Sequence, residues 1–161
     1  MPKIDISKTI LREVTHSDVK LMYDWTNNAE TRCNSFSSEK IDWETHVKWF
    51  KGKMSDTNCH MFILTYNNSN LGIIRMDYDN NHSLYVSYSI DKKYRCLGLG
   101  TRIIKLAEYK AIKMHELNPE IIYISGKVKS SNIGSRKCFE NNNYTMVNDS
   151  ENEITFQKVL Y

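Results

Sequence analysis

The residues best suited to chemistry are Arg95-Cys96-Leu97-Gly98-Leu99-Gly100, set between an alternating segment and a long amphipathic one. Two glycines one residue apart let the backbone turn tightly and approach a ligand without interference from Cβ. The first amides of a helix that follows have no acceptors of their own, and with the helix dipole they form a pocket for phosphate oxygens. Arg95, with Lys92 and Lys93 nearby, adds positive charge. The implied chemistry is a grip on a diphosphate. A Walker A loop is excluded because Thr101, not lysine, follows Gly100, and a dinucleotide fingerprint because position 103 is Ile. A glycine-bearing turn with no ligand is the plain alternative.

Two further sets of residues have types suited to binding. After an apolar segment at 121–128, Asn132 and Ser135 follow within Val128-Lys129-Ser130-Ser131-Asn132-Ile133-Gly134-Ser135. An Asn side chain offers both donor and acceptor to an amide-bearing ligand, and it serves equally as a helix cap. Upstream stand Trp25, then Arg32-Cys33-Asn34-Ser35-Phe36, then His46 and Trp49, which are three apart on one side of a helix, and finally Arg75 and Asp77. Trp25 or Trp49 can stack on a flat ring, while Arg32 and Arg75 can meet a diphosphate. The plainer readings are that Trp25 is core and that Arg75 pairs with Asp77 or Asp79.

The elements that must hold these residues follow from periodicity. Residues 10–14 alternate as a strand, Ser17-Asp18 caps a first helix that runs through Trp25, and 28–40 are polar and irregular. A second helix covers 42–54. Strands at 60–66, 71–78 and 83–90 are joined by Asn67-Asn68-Ser69-Asn70 and Asp79-Asn80-Asn81-His82, turn chemistry that predicts an antiparallel meander. A long helix spans 99–116 with Ile103, Ile104, Ala107 and Ile112 inward, and Asn118-Pro119 ends it. A strand at 121–128, a helix at 132–141, and strands at 144–148 and 154–160 complete the order β-α-α-β-β-β-α-β-α-β-β.

Composition bounds what such a chain does. Its 161 residues suit one domain over 1–161, and 22 basic against 19 acidic residues give +3, too balanced for a nucleic-acid binder. No apolar run nears the ~18 residues of a membrane span and no signal-peptide core is present, so a soluble, cytoplasmic protein is expected. Cys33, Cys59, Cys96 and Cys138 are widely spaced, with no Cys-x-x-Cys and no metal-spaced His pair, so no metal is expected. Cys138 reads as a packed helix residue rather than a nucleophile.

The Arg-x-x-Gly-x-Gly loop, the element order and the Asn132–Ser135 segment together resemble the GNAT superfamily of acyl-CoA-dependent N-acetyltransferases over residues 10–160. The resemblance implies an α/β (α+β) fold: a mixed, mostly antiparallel seven-stranded sheet with about four helices, splayed between the fourth and fifth strands. It implies acetyl-CoA as co-substrate, held by Ser89, Ile90, Arg95, Cys96, Leu97, Gly98, Leu99, Gly100, Thr101, Asn132 and Ser135. Backbone amides near Ser87–Ile90 would polarise the thioester, and the amine would attack directly. The family often carries a Tyr acid where this chain has Phe139, and a Glu or His base where it has Leu84 and Val86. The acid and base therefore do not transfer, and Tyr88, Asp77, His46 and Tyr85 are the candidates to assist water.

On the acceptor side, Trp25, Arg32, Ser35, His46, Trp49 and Arg75 look similar to the GNAT branch that acetylates amino-sugar nucleotides for nonulosonic (pseudaminic- and legionaminic-type) glycans. A small-molecule amine, most concretely a 4-amino-sugar nucleotide, is the expected acceptor. A protein N-terminus, polyamine or aminoglycoside is the alternative, and a non-catalytic acyl-CoA-binding module the second. Neither nucleic acid nor membrane is expected as a partner, and a homodimer is left open.

Overall fold

The structure is a computed structural model that describes residues 3–161, so the first two residues of the expected 1–161 domain lie outside the described residues. It contains β1 (Ile10–Glu13), α1 (Val19–Thr26), α2 (Ala29–Cys33), α3 (Trp43–Ser55), β2 (Cys59–Tyr66), β3 (Ser69–Tyr78) and β4 (Ser83–Ile90). Then come α4 (Leu99–Leu117), β5 (Tyr123–Lys129), α5 (Ile133–Asn141), β6 (Thr145–Asp149) and β7 (Glu153–Val159). One seven-stranded sheet runs in the order β1-β2-β3-β4-β5-β7-β6, antiparallel throughout except between β4 and β5. The expected mixed sheet and meander are thus present. Asn67 and Asn68 both take positive φ, the two-residue hairpin geometry that brings β3 in at Ser69, earlier than expected.

One element is additional. Residues 28–40 were expected to be irregular, yet Ala29–Cys33 is a helix, with the Asn28 side chain accepting from the Thr31 amide. It buries no residue of its own, so no apolar period announces it in the sequence.

The sheet is covered on both faces. Leu64, Ile74, Met76 and Leu84 pack against Ile103, Ile104, Ala107 and Phe139 of α4 and α5. On the other face Val14, Met61 and Ile63 pack against Met22, Trp25 and Phe50 of α1 and α3. Each such side chain contributes about 1.5–3 kcal/mol when fully buried. In α4 it is Ala111 rather than Ile112 that is fully buried. The residue before Pro119 is extended, at φ −137° and ψ 92°, and the helix ends there.

What positions the site is a failure of pairing. The parallel register of β4 and β5 runs from Ser83↔Tyr123 to Val86↔Gly126 and stops, although β4 continues to Ile90 and β5 to Lys129. The two strands part, and their unpaired ends open a cleft in the middle of the sheet.

Candidate active site

The loop after β4 is held in an unusual backbone conformation. Asp91 Oδ1 accepts from the Lys93 amide at 2.9 Å, and then Cys96 and Gly98 take φ of 61° and 80° within three residues. Gly98 caps α4. Among the described residues, none of the backbone amides from Cys96 to Thr101 meets an acceptor within the chain. Cys96, Gly98, Leu99 and Gly100 border a cleft of about 360 Å³ whose lining also includes Ser89, Ile90, Asn132 and Ser135. The two glycines serve differently. Gly98 is required by its φ, since a Cβ there would meet only Ile6 Cδ1 at 3.5 Å. A Cβ at Gly100 would come within 2.7 Å of Cys138 Sγ. Free amides at a helix N-terminus beside an open groove fit the diphosphate of coenzyme A.

Three expected members of this loop behave otherwise. Leu97 and Thr101 are not among the cleft-lining residues, and the Thr101 carbonyl accepts instead from Asn142. Arg95 lines the cleft but spends its guanidinium elsewhere. It donates to the Ile90 carbonyl at 3.1 Å, to Asn28 Oδ1 at 3.1 Å and to Thr31 Oγ1 at 3.0 Å, and it pairs with Glu30. Its side chain is thus turned toward α2. Asn132 combines both of its readings, capping the Ser135 amide while lining the cleft.

A second cleft of about 330 Å³ continues from the first. Seven residues line both, among them Thr31, Ser35, Tyr88, Asn132 and Ser135. Only Tyr88 in that set carries an ionisable proton. Its hydroxyl donates to Ser135 Oγ at 3.0 Å, and burial, reinforced by the Cys138 thiol, pushes its pKa well above the ordinary phenol value, so it stays protonated. Phe139 is 1% exposed, stacked on Phe156, and its ring tip fills the space that a Cβ on residue 126 would take. A hydroxyl there would press against β5.

The far wall of the second cleft carries the acceptor candidates. Arg32, Arg75, Lys127 and Lys129 line it, and among the described residues no Asp or Glu does. Arg75 Cζ lies 5.3 Å from the centre of the Trp49 ring and its Nε donates to Asp77 at 2.6 Å. Arg32 reaches Ser35 Oγ at 3.1 Å and the Glu39 carbonyl at 3.2 Å. Trp25 is both core and fixture: it is buried, and its indole donates to Asp91 Oδ2 at 2.8 Å.

Two catalytic candidates are engaged in other contacts. Asp77 lies off both clefts. Burial raises its pKa, but Lys53 at 2.8 Å and Arg75 outweigh that and hold it below the ordinary carboxylate value. His46 lines the second cleft but is 2% exposed, and its Nε2–H is used on the Val19 carbonyl at 2.8 Å. It packs among Tyr23, Trp49 and Phe50 as part of the wall.

Sequence reasoning missed Lys127, Thr31 and Asn34 as cleft residues. The alternation Lys127-Val128-Lys129 put both lysines on one face, which was a usable signal, but the cleft exists only because β4 has moved away from them. Thr31 and Asn34 sit on or beside the unforeseen α2. Among the described residues no three His, Cys, Asp or Glu side chains are grouped so as to hold a metal ion, and no helix is long and apolar enough to cross a membrane.

Over residues 19–144 the chain matches the acetyltransferase (GNAT) family. No curated protein matches it. Among solved structures it is similar to RimL, a ribosomal L7/L12 alpha-N-protein acetyltransferase in complex with coenzyme A. That pair is 15% identical with a TM-score of 0.80, covering 98% of this chain and 97% of the other. Spermidine N-acetyltransferase from Vibrio cholerae, in complex with CoA and spermine, is 12% identical with a TM-score of 0.79 and 96% of each chain covered. The aminoglycoside enzyme AAC(6')-Ib, in complex with ribostamycin and coenzyme A, is 13% identical with a TM-score of 0.78, covering 94% of this chain and 93% of the other. At these identities the likeness is one of fold.

Proposed function

The chain belongs to the acetyltransferase (GNAT) family and is an acetyl-CoA-dependent N-acetyltransferase, and from that premise we propose that its acceptor is an amine carried by an anionic small molecule, most concretely a 4-amino-sugar nucleotide. The observation that carries this is the acceptor cleft, lined by Arg32, Arg75, Lys127 and Lys129 with no carboxylate. Two like charges ~4 Å apart cost about 4 kcal/mol at an effective dielectric of 20. A polyamine or aminoglycoside entering this cleft would pay such a repulsion repeatedly, whereas a nucleotide diphosphate would gain the same interaction with opposite sign. Trp49 and Phe36 on the same wall offer ring faces to a sugar or base.

In this reading, acetyl-CoA lies along the unpaired edge of β4, with its diphosphate on the Cys96–Thr101 amides. Backbone amides of Ser87–Ile90 polarise the thioester carbonyl. A bond forms between the amine nitrogen and the acetyl carbon as the carbon–sulfur bond breaks. Tyr88 supplies the proton to the departing sulfur, directly or through the Ser135 hydroxyl. The proton shed by the new amide passes to solvent, which restores the phenol. Neither cleft holds an unpaired carboxylate at its junction, so the amine arrives already neutral or is deprotonated by water.

A second reading is the α-amine of a protein N-terminus followed by acidic residues. It satisfies the same cations, and Phe36, 57% exposed at the cleft, would suit a peptide side chain. The deciding experiment is acetyl transfer from acetyl-CoA to 4-amino-4,6-dideoxy sugar nucleotides, run beside spermidine, an aminoglycoside and acidic and basic N-terminal peptides. The expected result is turnover of the sugar nucleotide, with a KM that rises with salt. Efficient turnover of spermidine or the aminoglycoside would overturn the anionic-acceptor reading.

A further inference from the structure

The helix α2 is five residues long and buries none of them, so neither intrinsic propensity nor an apolar face holds it in place. Yet Thr31, Asn34 and Ser35, on it or just after it, line both clefts. Its anchors come from the two strands that part beneath it. From the loop after β4, Arg95 reaches Asn28 Oδ1, Thr31 Oγ1 and Glu30. From the end of β5, Lys129 Nζ donates to the Cys33 carbonyl at 2.9 Å. Asn28 Oδ1 is used twice, accepting from Arg95 and from the Thr31 amide that starts the helix. A parallel fixture ties α1 to the same loop, where Trp25 Nε1 meets Asp91 Oδ2.

We infer that α2 is a strap stretched across the β4–β5 opening between Arg95 and Lys129, and that Arg95 is a positioning residue for the acceptor wall rather than a ligand of the coenzyme's phosphates. The arginine of the diphosphate loop thereby couples the two clefts. When the Cys96–Thr101 amides hold the coenzyme, the loop that carries Arg95 is fixed, and through it α2, Arg32 and Ser35 are fixed as well. Arg95 suits this task because a planar guanidinium reaches several acceptors in a set geometry, which a lysine ammonium cannot reproduce.

The inference rests on the diphosphate loop holding coenzyme A, and calorimetric binding of CoA by the unaltered protein tests that premise separately. Arg95→Ala and Arg95→Lys are then compared by CoA calorimetry and by amide hydrogen exchange over residues 28–40. For both variants the expected CoA affinity is within ~3-fold of the unaltered protein, while exchange over 28–36 speeds up ~10-fold or more for Arg95→Ala and less for Arg95→Lys. With an accepted amine in hand, KM for that amine rises by a larger factor than either kcat or the KM for acetyl-CoA changes. A tenfold or larger loss of CoA affinity with unchanged exchange over 28–36 would return Arg95 to the phosphates and overturn the strap.

Discussion

The two clefts that meet at the β4–β5 opening are made of different material. On the side proposed for the coenzyme, unpaired backbone amides of the Gly98–Gly100 turn and the free edge of β4 stand beside side chains such as Asn132 and Ser135, and the turn is shaped by a positive φ at Gly98 and a close approach at Gly100. On the acceptor side the surface is side chain, with Trp25 from α1, Arg32 from α2, Trp49 from α3, Arg75 from β3 and Lys127 from β5. A backbone surface recognises a group common to every acyl-CoA and is written in a few consecutive residues. A side-chain surface recognises one acceptor and is assembled from remote ones. Two solved structures of similar fold hold coenzyme A together with different amines, spermine in one and ribostamycin in the other.

Four variants bear on this contrast. At the seam, Tyr88→Phe is expected to lower kcat ~100-fold, within the range for a positioned acid, while CoA affinity holds. A loss shared equally between kcat and CoA binding would mark the ring as packing only. On the backbone side, Gly98→Val puts a β-branched residue at φ 80°. The strain is ~2 kcal/mol or more, so acetyl-CoA binding should weaken ~30-fold or more by calorimetry. Unchanged affinity in a folded variant would break the loop assignment. On the side-chain side, Lys127→Glu should raise the KM of an anionic acceptor ~10-fold and leave that of acetyl-CoA alone. If a cationic acceptor improves instead, the sign of the cleft has been misread.

The smallest effect is expected at Asp77. Asp77→Asn should change kcat less than ~2-fold, because the carboxylate lies off both clefts, whereas a catalytic base would cost orders of magnitude. Its ion pairs have a pH signature. The folded pKa is depressed, so the stabilisation is complete above the unfolded value of about 3.9 and is lost as pH falls through the folded one. Thermal melts between pH 6 and 3 (roughly spanning that window) should show the unaltered protein losing more stability than Asp77→Asn.

Much of the fold was legible because its signals are local. Asn67-Asn68 specifies a hairpin through two positive φ values, Asn118-Pro119 ends α4, and the alternation through Leu84, Val86 and Ile90 marks β4. The helix α2 was not legible, since its anchors are Arg95 and Lys129, both more than sixty residues away in the chain. In the same way the sequence shows Arg95 only beside the glycine loop, whereas in space its guanidinium also meets Asn28, Thr31 and Glu30.

The amino-acid sequence by itself determined the glycine loop and the order of the strands and of every helix but α2, because glycine placement, caps and periodicity act over a few residues; the coenzyme class came from the resemblance to a family. Only the tertiary structure decided which side chains line the second cleft, that Phe139 is packed against β5, and that Tyr88 stands where the clefts join. Those outcomes depend on where two strands stop pairing, and the end of a ladder is set by packing from both sheet faces at once rather than by any one stretch of chain.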